Sequence, residues 1–235
     1  IPPETDVVFT TPSHQCPTAS TMPLARRKEL LRRASQDDFL IVEDDYEFEM
    51  SFLKPPSPAL KSLDEEGRVI YVGSFSKSLF PGLRLGYLVG PAPFIREARA
   101  LRSAVLRHPP GHMQRTAAYF LSLGHYDALV RRLRNAFHDR RRIMDGALAE
   151  YGLTVAGAGA FGGSSYWMRA PDGVDTKELA DRLRQKSVLI EPGAAFCEGE
   201  QREFKHYRLA YSSIGAAQIS PGVALIAKEI DEMQR

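Results

Sequence analysis

The sequence predicts an α/β protein with a mainly parallel sheet in its first half and a smaller α+β region at its end. Two observations support this class. Over roughly the first ninety residues, short apolar runs rich in β-branched residues alternate with an amphipathic helical pattern, as in βαβ units. Further along, the apolar residues recur at helical spacing, and short separate strands follow.

The first half contains four candidate strands. They are 7–10, 39–42, 68–73 and 85–90, and the helix 23–34 lies between the first two. This helix starts with proline and carries Leu24, Leu30 and Leu31 on an otherwise basic surface, so it can cover one face of the sheet. We therefore expect strand, helix and strand to form a parallel unit.

The second half is predicted to be mainly helical before a small final domain. The expected elements are the helices 94–106, 113–123, 126–150, 176–186 and 219–233 and the strands 165–168, 188–190 and 207–211. The glycine-rich run 157–163 neither follows a clear strand nor opens a helix, so we expect a turn there and no nucleotide-binding loop. The predicted division is a large domain in 1–125 and a long linking helix with a small domain in 126–235.

Composition limits the classes of partner. The 235 residues carry 31 Lys and Arg against 29 Asp and Glu, a formal net charge of +2, so no global field favours nucleic acid or an anionic membrane. The arginines of the helix 126–150 are interpreted as a solvated face. Two cysteines, no signal peptide and no long uncharged apolar run predict a cytoplasmic protein without a membrane segment.

The segment 74–87 is the strongest candidate site. It follows a buried strand, and open α/β sheets bind ligands at the carboxyl ends of their strands. Lys77 offers an amine, while Arg84 with Ser74 and Ser76 can bind a phosphate. A lysine in a loop is also commonly only a solvated charge, and spacing alone leaves both readings open.

Two further stretches carry candidate ligand-binding groups. Asp44 and Tyr46 lie in the run Glu-Asp-Asp-Tyr-Glu, directly after the strand 39–42. Arg208 interrupts the aromatic and aliphatic strand 207–211. An inward-pointing arginine there requires an anionic partner, whereas an outward-pointing one at a sheet edge does not, and both interpretations stay open.

Together these residues are the groups that a pyridoxal phosphate site requires. Lys77 can form a Schiff base with the aldehyde. Asp44 can hold the proton of the pyridine nitrogen, which makes the ring an electron sink, and Tyr46 can hydrogen-bond the ring oxygen. The serines and arginine of the segment 74–87 suit the phosphate, and Arg208 can pair with the carboxylate of an amino-acid ligand.

Three motifs resemble those of the aminotransferase-like domain of MocR-type transcriptional regulators in the GntR superfamily. They are Thr-Pro-Ser-His-Gln-Cys-Pro-Thr at 11–18, Glu-Asp-Asp-Tyr-Glu at 43–47 and Ser-Phe-Ser-Lys-Ser-Leu-Phe-Pro-Gly-Leu-Arg-Leu-Gly-Tyr at 74–87. The segments 125–142, 189–193 and 207–212 are similar to later landmarks of that domain, so the resemblance covers essentially the whole chain.

The resemblance implies a fold-type I pyridoxal phosphate-dependent aminotransferase-like fold, with the carboxyl-terminal part of the large domain in 1–125. Residue by residue, it implies Lys77 for the Schiff base, Asp44 for the pyridine nitrogen, Tyr46 for the ring oxygen, Arg84 for the phosphate and Arg208 for the ligand carboxylate. It also implies a homodimer with the cofactor sites near the subunit interface.

The function implied by the resemblance is effector sensing. Pyridoxal phosphate on Lys77 would form an external aldimine with an amino acid or amine, and the changed geometry would alter DNA binding through a winged helix-turn-helix domain absent from this chain. The first alternative is a pyridoxal phosphate-dependent aminotransferase acting on an amino acid. The second is a structural relic that binds no cofactor.

Two departures from the family pattern bear on this choice. Related aminotransferases carry an asparagine just before Pro17, where this chain has Cys16, and a thiol is a poor replacement for an amide donor. We therefore expect weaker transaminase chemistry, and the regulators commonly lack the asparagine too. The chain also opens without Met on a buried-looking strand, so we expect the family's upstream phosphate loop and ring-stacking aromatic to lie outside it.

Overall fold

The computed structural model describes residues 1–197 and 205–235 and divides into two compact units. Unit 1 comprises Ile1–Gln15, Thr21–Ser51 and Pro55–Leu133. Unit 2 comprises Cys16–Ser20, Phe52–Lys54 and Arg134–Arg235. The chain therefore passes from unit 1 into unit 2 and back twice within its first 55 residues, and it enters unit 2 again at Arg134.

Unit 1 is built on a four-stranded sheet in the order β1-β2-β3-β4. The strands are β1 Val7–Thr10, β2 Leu40–Asp44, β3 Val69–Ser74 and β4 Gly86–Val89. The β1-β2 and β2-β3 pairs are parallel, and the β3-β4 pair is antiparallel. The sheet is thus mainly parallel, as the βαβ pattern predicts, and its first crossover is the helix α1, Leu24–Gln36.

The core of this sheet is apolar and fully closed to solvent on the side of α1. Ala34 at the end of α1 packs in one buried cluster with Phe39, Ile41 and Val69. Leu60, the first residue of the short helix α2 (Leu60–Leu63), completes the cluster. Ile41 and Val69 belong to the amino-terminal ends of β2 and β3. Their packing in this cluster fixes the register of the two strands and leaves the carboxyl ends of both at the same edge of the sheet.

Three longer helices follow the sheet. They are α3 Ala92–Val105, α4 Gly111–Ser122 and α5 His125–Glu150. The first turns of α5 belong to unit 1 and the rest to unit 2. Within the described ranges, the chain has no helix with the length and apolar character needed to cross a membrane.

Unit 2 contains an antiparallel sheet in the order β5-β6-β8-β7. Its strands are β5 Thr154–Ala158, β6 Ser165–Arg169, β7 Glu191–Pro192 and β8 His206–Ala210, and its helices are α6 Thr176–Gln185 and α7 Ala216–Met233. Leu179 and Leu183 of α6 and Ile219 and Ile226 of α7 are buried, as a sheet covered by amphipathic helices requires.

Two predicted elements of unit 2 differ in the structure. The glycine-rich run begins inside a strand, β5. A side chain at Gly157 would place its Cβ 2.5 Å from the Thr18 carbonyl oxygen. Glycine is required there by close backbone approach and by the bulge between Val155 and Gly157. The predicted strand 188–190 is replaced by the two-residue strand β7 that follows it.

Candidate functional site

The carboxyl ends of β2 and β3 meet at one edge of the unit 1 sheet. Asp44 is the last residue of β2 and is paired in register with Val72 of β3. The backbone N–H of Asp45 continues this pairing and donates to the Val72 carbonyl at 3.1 Å. Since Lys77 follows β3 by three residues, both sequence-predicted stretches arrive at the same edge.

The side chains of the acidic run 43–45 alternate between the buried and the exposed side of the strand. Glu43 points into the interior, where its carboxylate accepts the backbone N–H groups of Leu60 and Lys61 at 2.7 and 2.8 Å. The buried guanidinium of Arg27 lies 4.0 Å from the same carboxylate. Asp44 instead is exposed at the edge, and partial desolvation raises its pKa. Asp44 is therefore the carboxylate of this pair that a ligand can reach.

Asp45 is the second buried acid of the run. Its carboxylate accepts a hydrogen bond from Ser13, and burial raises the pKa of Asp45 to about 6. Its Oδ2 has no hydrogen-bond partner within the described part of the chain. No group of three or more His, Cys, Asp or Glu side chains in 1–197 and 205–235 is arranged to hold a metal ion. Of the four carboxylates in the run 43–47, Asp44 is exposed and the other three are buried.

Tyr46 is half-buried next to the first sequence motif. Its phenol donates to the backbone carbonyl of His14 at 3.1 Å. The His14 ring in turn contacts the Ser51 hydroxyl through Nε2 at 3.2 Å. The phenol therefore sits beside the motif 11–18.

The loop carrying Lys77 is held by its own backbone and by small side chains. The Ser74 hydroxyl accepts the N–H of Ser76 at 3.2 Å, and Leu79 N–H donates to the Phe75 carbonyl at 2.8 Å. This turn leaves the Lys77 side chain 49% exposed. Its Nζ lies 3.9 Å from Oε1 of Glu47, a carboxylate that is only 4% exposed.

Arg84 occupies an unusual backbone conformation at the end of this loop. It follows the 3-10 turn Pro81–Leu83 with φ 48° and ψ 39°, in the left-handed region that residues other than glycine seldom adopt. Its side chain is exposed. Arg84 thus ends the lysine loop in a tight turn with its side chain at the surface.

Arg208 lies in unit 2, on β8 between β6 and β7, and not at a sheet edge. Its side chain is 13% exposed, its Nε donates to the Ser165 hydroxyl at 3.0 Å, and one terminal nitrogen contacts both Glu191 oxygens at 2.9 and 3.1 Å. Strand alternation places Arg208 on the face opposite the buried Tyr207 and Leu209, where it has an anionic partner, so neither of the two predicted alternatives describes it fully. Its predicted role toward a ligand carboxylate stays a prediction, and Glu191 would have to share it.

Sequence reasoning missed Glu47 and the neighbours of Ser78. Ser78 is fully buried and its hydroxyl oxygen lies 3.0 Å from that of Tyr126, on the first turn of α5. Tyr126 also donates to Glu49 at 2.5 Å. These contacts join residues tens of positions apart, so no local spacing in the sequence reveals them.

The residues of unit 1 fit pyridoxal phosphate by the chemistry of their donors. The unit offers an exposed primary amine on Lys77, a partly desolvated but exposed carboxylate on Asp44 for a protonated ring nitrogen, and the half-buried phenol of Tyr46 two residues after that carboxylate. Hydroxyl groups and an exposed arginine follow on the same loop for a phosphate. Desolvation raises the pKa of Asp44, and a pyridinium partner would supply the missing positive charge.

Comparison with known proteins gives relatives of two kinds. The HTH-type transcriptional regulator TauR of Rhodobacter capsulatus is 60% identical over 98% of this chain and 48% of its own length. The probable rhizopine catabolism regulatory protein MocR of Rhizobium meliloti is 37% identical over 60% of this chain and 29% of its own length. The chain spans about half the length of the curated relatives that it matches over most of its residues.

The fold has close counterparts among solved structures. Kynurenine aminotransferase of Pyrococcus horikoshii, solved in complex with PMP, superposes with a TM-score of 0.90 at 33% identity, over 98% of this chain and 57% of the enzyme. The predicted aminotransferase-like fold and the resemblance to MocR-type regulators are confirmed. The sequence profile of aminotransferase class I and II matches residues 2–215, and the chain therefore belongs to the aminotransferase class I and II family.

Proposed function

We propose that this chain is the pyridoxal phosphate-binding, effector-sensing domain of a MocR-type transcriptional regulator. What supports the proposal is the position of Asp44 and Tyr46 at the carboxyl end of β2 and of Lys77 just after the neighbouring strand β3, in a member of the aminotransferase class I and II family. The effector is a small amino acid or amine. DNA binding belongs to other parts of the longer protein, and a homodimer in the cytoplasm is part of the proposal.

Each side chain of the edge has a defined task. Bound pyridoxal phosphate supplies an aldehyde that condenses reversibly with primary amines. Lys77 would hold that aldehyde through its amine when no effector is present and would give way to the effector amine. Asp44 would keep a proton on the ring nitrogen, and the Tyr46 phenol, which donates to the His14 carbonyl in this structure, would turn to donate to the ring oxygen instead. Arg84 would bind the phosphate together with Ser74 and Ser76.

Two observations favour sensing over turnover. Identity is 60% to the regulator TauR over nearly the whole chain, against 33% to the Pyrococcus aminotransferase. Cys16 also stands where related aminotransferases carry asparagine, and a thiol donates only weakly to a ring oxygen. A sensor needs only that the effector binds two states differently, whereas an enzyme needs repeated proton transfer at the substrate carbon.

Absorbance spectroscopy tests the cofactor site and the effector class together. Titration of the chain with pyridoxal phosphate should produce a visible band, and amino acids or amines that act as effectors should shift it. The Lys77→Ala variant should produce no such band, while Lys28→Ala, which removes an exposed lysine of α1, should behave as the parent. An unchanged band in Lys77→Ala would contradict the assignment of the amine.

The alternative function is a pyridoxal phosphate-dependent aminotransferase, which the 33% identity to the Pyrococcus aminotransferase favours. Incubation with an amino-acid donor and a 2-oxo acid separates the two. The sensor proposal predicts a spectral shift without steady product formation, and Cys16→Asn should raise any residual turnover. Sustained production of the new amino acid by the parent chain would establish the enzyme instead.

A further inference from the structure

A buried hydroxyl chain lies directly beneath the lysine loop. The Tyr126 phenol has one proton, and the Glu49 carboxylate 2.5 Å away can only accept it. The Ser78 hydroxyl, 3.0 Å from the phenol oxygen, therefore donates to Tyr126. Desolvation and the Glu49 contact raise the pKa of Tyr126, so the phenol stays protonated as the central member of the chain.

The three members belong to three different segments of unit 1. Ser78 directly follows Lys77 and is fully buried, while the lysine side chain itself is half exposed. Glu49 lies in the 3-10 turn Phe48–Met50, which continues the segment of Asp44 and Tyr46. Tyr126 reaches both from the first turn of α5. One phenol thus bridges the segment with the amine and the segment with the carboxylate.

Aromatic packing supports the same position. The Phe75 ring meets the Tyr126 ring edge-on at 6.0 Å and the Tyr87 ring at 5.4 Å. Phe75 opens the lysine loop, so the loop is held at its start by ring contacts and just after Lys77 by the hydroxyl chain. Edge-to-face pairs and charge-assisted hydrogen bonds both fix geometry as well as adding energy.

We propose that Tyr126 is a positioning residue for Lys77. It sets the distance between the lysine amine and the ring-binding groups Asp44 and Tyr46 by holding Ser78 and Glu49 together. The contact of Lys77 Nζ with Glu47, 3.9 Å away in the same acidic segment, is the outcome of that placement. This inference rests on the proposed function, and it names a residue that touches neither cofactor nor effector.

The test compares Tyr126→Phe with Tyr119→Phe in the whole chain. Tyr119 lies on α4, is 54% exposed and contacts Arg115 through its hydroxyl at 3.1 Å. Its variant therefore loses the same hydroxyl group, but at a place away from the hydrogen bonds of Tyr126 with Ser78 and Glu49. Loss of one neutral and one charge-assisted hydrogen bond should weaken pyridoxal phosphate binding, followed by absorbance, about tenfold. Tyr119→Phe should leave binding unchanged.

Hydrogen exchange separates positioning from general stability. In the cofactor-free chain, Tyr126→Phe should speed exchange in peptides covering 75–80 and 46–50, while peptides of unit 2 keep their protection. This measurement remains informative even if the parent chain binds no cofactor. That outcome would refute the proposed function, but it would not refute the role of Tyr126 in holding the lysine loop. Uniformly faster exchange with unchanged cofactor affinity would show a merely structural role and overturn the inference.

Ser78→Ala provides a second route if Tyr126→Phe does not fold. It removes one member of the hydroxyl chain and keeps the Tyr126 contact with Glu49. We expect about fivefold weaker cofactor binding from the loss of one buried hydrogen bond. The double variant should bind no more weakly than Tyr126→Phe, since both changes break the same connection, and fully additive losses would contradict the bridge.

Discussion

Replacing Arg27 by alanine should be among the most destabilising single changes in unit 1. Arg27 lies on α1, where Arg26 and Arg32 are exposed, yet its own side chain is completely buried. Its guanidinium donates to the carbonyl groups of Met22, Pro58 and Pro12 at 3.0, 2.9 and 2.8 Å. Alanine would leave these three acceptors without the donor that now satisfies them.

The second loss is electrostatic. Arg27 is the guanidinium 4.0 Å from the buried carboxylate of Glu43, which is held by the first N–H groups of α2. Removing one partner of a buried pair leaves an uncompensated charge and typically costs about 3–5 kcal/mol. Desolvation already raises the pKa of Glu43, so neutralising it by Glu43→Gln in the Arg27→Ala background should recover part of the loss.

Urea unfolding followed by circular dichroism measures the loss in the free energy of unfolding, and a thermal scan with the same signal measures the midpoint. For a chain of this length a loss of that size lowers the thermal midpoint by roughly 6–20 °C. Arg26→Ala is the matched control, because Arg26 is the exposed neighbour on the same helix, and its effect should stay within about 0.5 kcal/mol. A cost below about 1 kcal/mol for Arg27→Ala would refute the reasoning from burial and pairing.

Three further predictions concern stability. Burial raises the pKa of Asp45 from 3.8 to about 6, so the unfolded chain releases this proton first and stability falls as pH rises from about 4 to 6. Asp45→Asn should therefore gain up to about 3 kcal/mol over the parent in urea unfolding at pH 8 and lose that gain below pH 4; a pH-independent difference would contradict it. Gly159→Ala places a Cβ 2.1 Å from the Gly162 carbonyl oxygen and should cost about 1–3 kcal/mol, whereas Gly146→Ala, in open space on α5, should gain about 0.5–1 kcal/mol; equal thermal midpoints would contradict the pair. Asp175 caps α6 by accepting two backbone N–H groups at 2.7 and 3.3 Å, and Asp175→Ala should cost about 1 kcal/mol in the same assay, with no change if the cap is unimportant.

The sequence pattern was sufficient to predict the two strands that lead to the candidate site. Apolar runs predicted β2 and β3, and the rule that ligand groups follow parallel strands led to Asp44 and Lys77 at one edge. This works because strand period and strand ends are local properties. The structure extends β2 to Asp44 itself, which makes the strand alternation decide that Glu43 and Asp45 are buried and Asp44 is exposed.

What the pattern could not supply depends on contacts distant in sequence. The antiparallel direction of β4 is set by its pairing with β3, and an apolar run does not encode direction. The strand β5 was not predicted from the sequence, because glycine is rare in strands. Here Gly157 allows the strand to approach the backbone of residue 18 closely. The pairing of Arg208 with Glu191 and the bridge through Tyr126 likewise join residues that only the folded chain brings together.

The central claim is that the Lys77 amine holds pyridoxal phosphate at this sheet edge. Reduction of the loaded chain with sodium borohydride, followed by proteolysis and mass mapping, tests it directly. The account predicts a phosphopyridoxyl adduct on the peptide containing Lys77 and none on the peptide containing Lys28. An adduct distributed over surface lysines, with Lys77 unmodified, would contradict it.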